Sequence, residues 1–331
     1  MQEKSRSDNA GPATAVRKVR VDHESDGQRI DNFLRRELPG VPKGRVYRLL
    51  RRGEVRVNGG RVRAEYKLEA GDEVRIPPVR IDAPGAPPAP KLVEQILEHV
   101  IYEDKRLIVI NKPSGVAVHG GSGVSHGVVE RLRHARPDLA DTGLVHRLDR
   151  ETSGCLVLAK RRSALRELHA RFREGVVEKH YLALVAGDWQ HGEQVLDMPL
   201  LVTNRQGGER HVVVSDRGKE AQTRVRLSRR YRESSLLQCS PLTGRTHQIR
   251  VHLAAVEFPI AGDDRYGDPA VNARFSKAGL PRLFLHAQSI AFPDQSGNEL
   301  HFTAPLPDDL DGFLNRLPEP GPGRRRRQGS R

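Results

Sequence analysis

Apolar positions in the chain follow two periods before residue 80 and a third pattern after residue 100. Over Arg29–Leu38 and Lys43–Arg51 they recur every three or four residues, which predicts two helices. Over Glu54–Val57 and Glu73–Ile76 they alternate with charged residues, which predicts strands. The first strand runs into the turn Asn58-Gly59-Gly60, and the second follows Gly71-Asp72 and stops at Pro77-Pro78. Later, the unbroken runs Leu107–Ile110 and Cys155–Leu158 read as buried strands, with further strands over 181–185, 223–227, 236–239 and 283–285. Leu165, Leu168 and Phe172 mark one helix after the second run, and Ile249, Leu253 and Val256 mark another, with Thr246 in position to cap it. Many strands with few intervening helices predict an α+β fold: a mixed, largely antiparallel sheet domain behind a small N-terminal α/β domain.

Proline and glycine set the expected boundaries. The segment from Asp82 to Pro90 holds four prolines and almost nothing that could pack, so 81–91 reads as an extended linker between domains over 19–80 and 92–317. Residues 1–18 and 318–331 read as disordered tails. The 331 residues suit two domains, and no apolar run approaches the roughly 18 residues of a membrane helix. Met1–Arg20 lacks the apolar stretch of a signal peptide, and two cysteines are too few for a disulfide framework or a thiolate-rich zinc site. A reducing cytoplasm is the expected compartment.

Charge then changes the picture. The net charge is +14, but +7 of it lies in residues 1–80 and +4 in 318–331, leaving the long middle nearly neutral. On the second predicted helix, Lys43, Arg45, Arg48 and Arg52 lie away from Val46, Leu49 and Leu50. One face can therefore dock on a core while the other offers guanidinium groups to phosphates. A solubilising surface explains the charge total equally well; the helical spacing favours a nucleic acid.

Three polar segments border the apolar strands: His146–Gly154, Glu178–Tyr181 and Thr243–Arg250. Taken singly, each has an ordinary explanation: an ion-paired loop, a strand-edge aromatic and a capped helix that could also bind a phosphate. His247 and His252 are five apart and share no helix face, so a metal site is not expected. No Walker-type loop, dinucleotide fingerprint or Gly-x-Ser-x-Gly elbow occurs. What remains is a cofactor-free, metal-free site built from an aspartate, arginines and a tyrosine.

Together the segments resemble one family. Leu144–Lys160 resembles the catalytic motif of the RluA-type pseudouridine synthases; Lys179–Gly187 and Gly244–His252 resemble the next two motifs, in order. Asn111–Gly115 and Leu285–Ala287 flank them, and residues 29–76 are similar to the small RNA-binding domain named after a small-subunit ribosomal protein. The resemblance implies isomerisation of uridine to pseudouridine without cofactor. Asp149 would act on the ribose, Arg245 would pair with Asp149, and Tyr181 would stack on uracil and could take its C5 proton. Arg147 would help extrude the target nucleotide. Segments 118–123, 263–268 and 282–286 resemble a branch acting on large-subunit ribosomal RNA, which is therefore the expected partner of a monomeric enzyme. The alternatives are a pseudouridine synthase of another RNA target and a non-catalytic ribosome- or RNA-binding factor, although such a factor could lose Asp149, Tyr181 or Arg245 and this chain keeps all three.

Overall fold

The computed structural model describes residues 15–38, 40–79, 89–120, 126–204 and 210–320. The expected linker core, most of both tails and residues 205–209 lie outside the described residues. Two compact units emerge, one over 1–89 with 161–163, the other over 90–160 with 164–331.

In the first unit, β1 (Arg17–Arg20), α1 (Ile30–Glu37), α2 (Lys43–Arg52), β2 (Arg56–Val57) and β3 (Glu73–Ile76) follow one another. The strands form an antiparallel sheet in the order β1-β3-β2, with Val74 opposite both Val19 and Val57. Ile30, Phe33 and Leu34 of α1 and Val46, Leu49 and Leu50 of α2 are buried together with Val74 and Ile76. Lys43, Arg45, Arg48 and Arg52 are all exposed, as the spacing predicts. Two details differ from expectation. Arg17 and Lys18, read as tail, belong to β1, and the strand expected over 54–57 keeps only its last two residues. Glu54 is instead taken up by the end of α2, its amide donating to the Leu49 carbonyl at 3.0 Å.

The second unit begins with α3 (Pro90–Glu98), so Pro90 and Lys91 open a helix rather than close a linker. There follow β4 (Val100–Glu103), β5 (Leu107–Lys112), α4 (Val128–Ala135), β6 (Gly143–Leu144), β7 (Ser153–Ala159), α5 (Arg162–Glu174) and β8 (Glu178–Ala186). Next are β9 (Gln194–Asp197), β10 (Leu200–Asn204), β11 (Arg210–Val214), β12 (Gln222–Arg230), β13 (Ser234–Pro241) and α6 (Gln248–Ala255). The last elements are α7 (Pro269–Lys277), β14 (Leu285–Pro293), β15 (Glu299–Thr303) and α8 (Asp308–Arg316). Among the described residues ten strands form one sheet, ordered β4-β5-β7-β14-β8-β13-β12-β9, with β15 beside β14 and β6 beside β7. β10 and β11 make a separate hairpin. Every pairing in the large sheet is antiparallel except β7 with β14.

β5 and β7 read as unbroken apolar runs because both their faces are covered. Val109, Cys155 and Val157 share one cluster with Ala164 and Leu168 of α5, while Ile108, Ile110, Leu156 and Leu158 share another with Val128 and Leu132 of α4. Strand β14 begins at Leu285 rather than 283 and runs through Pro293. Its polar His286, Gln288 and Ser289 interrupt the apolar run that would have announced it. His286 is fully buried: its Nε2 donates to the Ala304 carbonyl (3.1 Å), so its Nδ1 accepts from the Ser153 hydroxyl (3.0 Å). Burial pulls its pKa down to about 4. Thr246 does not cap α6. His247 is the N-cap, without a side-chain hydrogen bond of its own to the helix, and the Gln248 side chain accepts from the Arg245 amide at 3.0 Å instead.

The single parallel contact is unusually close. Gly154 has φ +115°, and a Cβ there would lie 2.2 Å from the Ala287 carbonyl oxygen. This close approach fixes the start of β7 against β14, and with it the loop that precedes β7. Gly154→Ala should destabilise the unit by at least about 3 kcal/mol, read as a lower denaturation midpoint. An unchanged midpoint would mean that the contact yields.

Candidate active site

The segment between β6 and β7 alternates between anchorage and exposure. Val145 and Leu148 are buried, Arg147 and Arg150 are exposed, and Asp149 is half-buried. Four further ties hold it. The Val157 amide donates to His146 Nε2 (3.0 Å), and the His146 ring stacks on Phe172 at 5.4 Å. Burial holds His146 neutral, its pKa pulled down to about 3. One residue past Asp149, the Arg150 carbonyl accepts from the Gly115 amide (2.9 Å) and from Lys112 Nζ (3.1 Å). Lys112 is fully buried and also donates to the carbonyls of Pro113 and Val116 at 2.8 and 2.9 Å. Burial lowers its pKa to about 7, yet three carbonyl partners call for three N–H donors, the number an ammonium carries.

The guanidinium facing Asp149 is not the expected one. Arg245 is exposed and its Nε donates to the Glu220 carbonyl at 2.8 Å. Arg250, five residues on, is only 7% exposed and offers Nη1 to Asp149 Oδ2 at 3.5 Å. Its other two nitrogens grip the buried Asp263, Nε to Oδ2 and Nη2 to Oδ1, both at 2.7 Å. Asp263 also accepts from the backbone amides of Arg265 and Tyr266, at 3.0 and 3.1 Å. Burial opposes charge on both partners, but their pairing prevails: the Arg250 pKa is raised and that of Asp263 lowered. The physical reason for the exchange is the turn before α6. Gln248 fills the helix mouth and holds the Arg245 amide, which leaves the Arg245 side chain outside. Arg250, inside the first turn of α6, is buried except where it borders the cleft.

Two recesses meet at Asp149. The smaller, about 450 Å³, is lined by Val145, Phe172, Tyr181, Leu242, Ile249 and Leu285. The larger, about 960 Å³, carries Arg150, Arg265 and Arg282. Arg147, Asp149, His247 and Arg250 border both. Tyr181 lies on β8 opposite Ala287, beside a bulge in β14 that re-aims the backbone there. Burial, then the negative charge of Asp149, raise its phenol pKa well above the usual 10. In the free protein Tyr181 is therefore a protonated phenol and offers an aromatic face and a hydroxyl. Among the described residues no cluster of His, Cys, Asp and Glu could hold a metal ion, and no helix is long and apolar enough to cross a membrane.

The half-buried carboxylate, backed by a guanidinium and bordered by an aromatic lining and an arginine-edged cleft, thus stands at one end of a largely antiparallel sheet. The family model described as RNA pseudouridylate synthase matches residues 106–255, and the S4 domain model matches residues 28–74. The chain belongs to the RNA pseudouridylate synthase family, whose members are isomerases. It is 51% identical over 309 residues to ribosomal large subunit pseudouridine synthase C of Pasteurella multocida, covering 92% of this chain and 95% of that protein. The protein of the same name from Escherichia coli K12 is 50% identical over 309 residues, covering 92% and 97%. Among solved structures, human RNA pseudouridylate synthase domain containing 4 matches with a TM-score of 0.58 and 28% identity, over 70% of this chain and 98% of that one. The family and fold class expected from the sequence are those found.

Arg250 and His247 were the residues that motif spacing did not single out as acting on Asp149. One signal was available: five of the other seven residues of α6 are apolar, which marks an arginine among them as one to be buried beside a carboxylate. Arg250→Met should remove turnover and cost about 3–5 kcal/mol of stability by stranding Asp263. Arg245→Met should leave the denaturation midpoint unchanged and act on KM more than on kcat. Steady-state kinetics and chemical denaturation of both variants check this; the reverse ranking would restore Arg245 as the partner.

Proposed function

We propose that this protein isomerises specific uridines of large-subunit ribosomal RNA to pseudouridine, with Asp149 acting on the ribose of a nucleotide turned out of the RNA. The observation that carries the assignment of the site is Asp149 at the junction of the two recesses, with Arg250 behind it. The relatives named above support the choice of RNA.

The reaction breaks the N1–C1′ bond, forms a C5–C1′ bond, takes a proton from C5 and leaves one on N1. Nothing enters or leaves overall, so the chemistry needs no redox partner or activated donor. Addition of a carboxylate at C1′ and removal of the C2′ proton by a carboxylate both require an oxygen aimed at the sugar. Arg250 keeps that oxygen oriented, because its own position is set by Asp263 and does not depend on substrate. The smaller recess has the apolar lining suited to a pyrimidine, and Tyr181 lies within it as a stacking face. The larger recess, edged by Arg150, Arg265 and Arg282, suits the adjoining phosphates. Arg147 is exposed and borders both, as a side chain that fills the gap left by a flipped base must be.

In the N-terminal unit, Lys43, Arg45, Arg48 and Arg52 supply a basic helix face for the RNA backbone, independent of the catalytic groups. All the proposed site residues come from a single chain, so a monomer suffices, and a ribosomal RNA substrate implies work in the cytoplasm.

Asp149→Asn should retain RNA binding and lose turnover, since the nucleophilic oxygen pair is lost with almost no change of shape; pseudouridine formation near the wild-type rate would remove Asp149 from the mechanism. Pseudouridine mapping of large-subunit RNA from cells lacking the protein should show sites left as uridine, and an unaltered map would reassign the substrate. Replacing Arg45, Arg48 and Arg52 together by Gln should flatten the dependence of log affinity on log salt by about 0.7–0.9 for each phosphate no longer neutralised. An unchanged slope would make that face a solubilising surface.

A further inference from the structure

A second group faces Asp149 from the N-terminus of α6. His247 has φ 53° and ψ 21°, a left-handed backbone conformation uncommon outside glycine, and it makes no capping bond. That conformation turns its ring inward, with Nε2 3.9 Å from Asp149 Oδ2 and Nδ1 2.7 Å from the Tyr266 hydroxyl oxygen. Tyr266 follows Asp263 in the turn that holds Arg250, and the Arg250 guanidinium lies over its ring at 5.1 Å. The Tyr266 oxygen also accepts the backbone amide of Val212 in β11 at 3.1 Å, and its ring stacks on His211 at 5.2 Å and 25°.

Hydrogen-bond accounting orients this chain of groups. An amide can only donate, so Val212 occupies one lone pair of the phenol oxygen. The phenol's own proton remains available for Nδ1, an arrangement that makes Nδ1 the acceptor and puts the ring proton on Nε2, the nitrogen facing Asp149. The distance of 3.9 Å is beyond a direct hydrogen bond, as catalytic contacts often are before substrate arrives.

We infer that His247 is a positioning residue for Asp149, held in its Nε2–H tautomer by Tyr266, and that this relay joins the β10–β11 hairpin to the catalytic carboxylate. The inference rests on the assignment of Asp149 proposed above. The charged and titratable groups around the ring are Asp149 from the β6–β7 loop and Arg250 from α6. Asp263, Arg265 and Tyr266 come from the turn after α6, and His211 from β11. Burial, with Arg250 and Arg265, outweighs Asp149 and Asp263 and lowers the His247 pKa, so the ring is neutral in the working enzyme. Protonation at low pH would place N–H groups on both nitrogens, break the phenol's bond to Nδ1 and lock the imidazolium on Asp149.

Tyr266→Phe keeps the ring stack and the contact with Arg250 but deletes the proton that occupies Nδ1. Neutral His247 then loses a stabilising bond, so its protonation moves to higher pH. With a large-subunit RNA transcript as substrate, kcat should fall about 10- to 100-fold at unchanged KM, and the acidic limb of the kcat–pH profile should shift upward. His247→Asn, which tolerates the left-handed conformation but is too short to reach Asp149, should show the same loss of kcat and abolish the Tyr266→Phe shift. Wild-type kcat and pH profile in both variants, or a change confined to KM, would overturn the relay. Asp149→Asn measured alongside separates the two readings. If it remains active, the assignment of Asp149 fails; if it is inactive while the two variants behave as wild type, only the relay fails.

Discussion

The site is organised by one buried guanidinium shared between two carboxylates of unequal standing. Asp263 takes two nitrogens of Arg250 at 2.7 Å and is itself closed off by two backbone amides, so it is fully committed. Asp149 receives the remaining nitrogen at 3.5 Å and keeps its other side open to the recesses. This inequality matters. A carboxylate gripped by a two-pronged fork would be a structural ion pair, its oxygens saturated and its approach to a substrate blocked. A carboxylate that merely borders a fixed positive charge stays oriented and free. Because Asp263 supplies the compensation that makes burial of Arg250 tolerable, Asp149 does not have to, and the amides that serve Asp263 also fix Tyr266 beside α6.

The loop carrying Asp149 is rigid for reasons that lie on both its sides. Downstream, Gly154 allows β7 to lie against the backbone of β14, and Ser153 is tied through His286 to the Ala304 carbonyl. Within the loop, Lys112 gathers carbonyls from the 113–116 turn and from Arg150, joining two segments that do not pair as strands and meet otherwise through the apolar cluster of Val116 and Leu148. Backbone that leaves a sheet normally seeks water for its carbonyls. Here a buried ammonium takes that place, so the turn next to Asp149 needs no solvent and can border a cleft.

Those parts of the fold that were legible in the sequence are those where one pattern dominates. β3 stands where its alternation predicts, and β5 and β7 extend the apolar runs by a few residues because both faces are covered. The helix α5 follows from Leu165, Leu168 and Phe172. What escaped lies where polar side chains are buried for cause. β14 hides behind His286, Gln288 and Ser289, and His286 meets Ser153 and Ala304, partners that no local window contains. β11 is absent from the strands that the pattern predicts; its residues pair with β10, and Val212 packs with Tyr266. Short edge strands such as β9 and β15 hold four or five residues and owe their existence to a neighbour already in place.

The site was legible to the extent that a motif is a linear object. Arg147, Asp149 and Tyr181 come together as the resemblance implied, because each is fixed by the strand or loop in which its own motif lies. The error over Arg245 has a different origin. Within Gly244–His252, two arginines five residues apart are equally able to meet a carboxylate by composition, and only the path of the backbone distinguishes them. The left-handed turn at His247 rotates the chain between them, Gln248 rather than Arg245 closes the helix mouth, and the arginine inside the first turn faces the core. The choice of partner for Asp149 is thus made by a dihedral angle at a histidine. That histidine also carries the second donor toward the same carboxylate, so the feature that conceals the pairing from the sequence is the feature that builds the site.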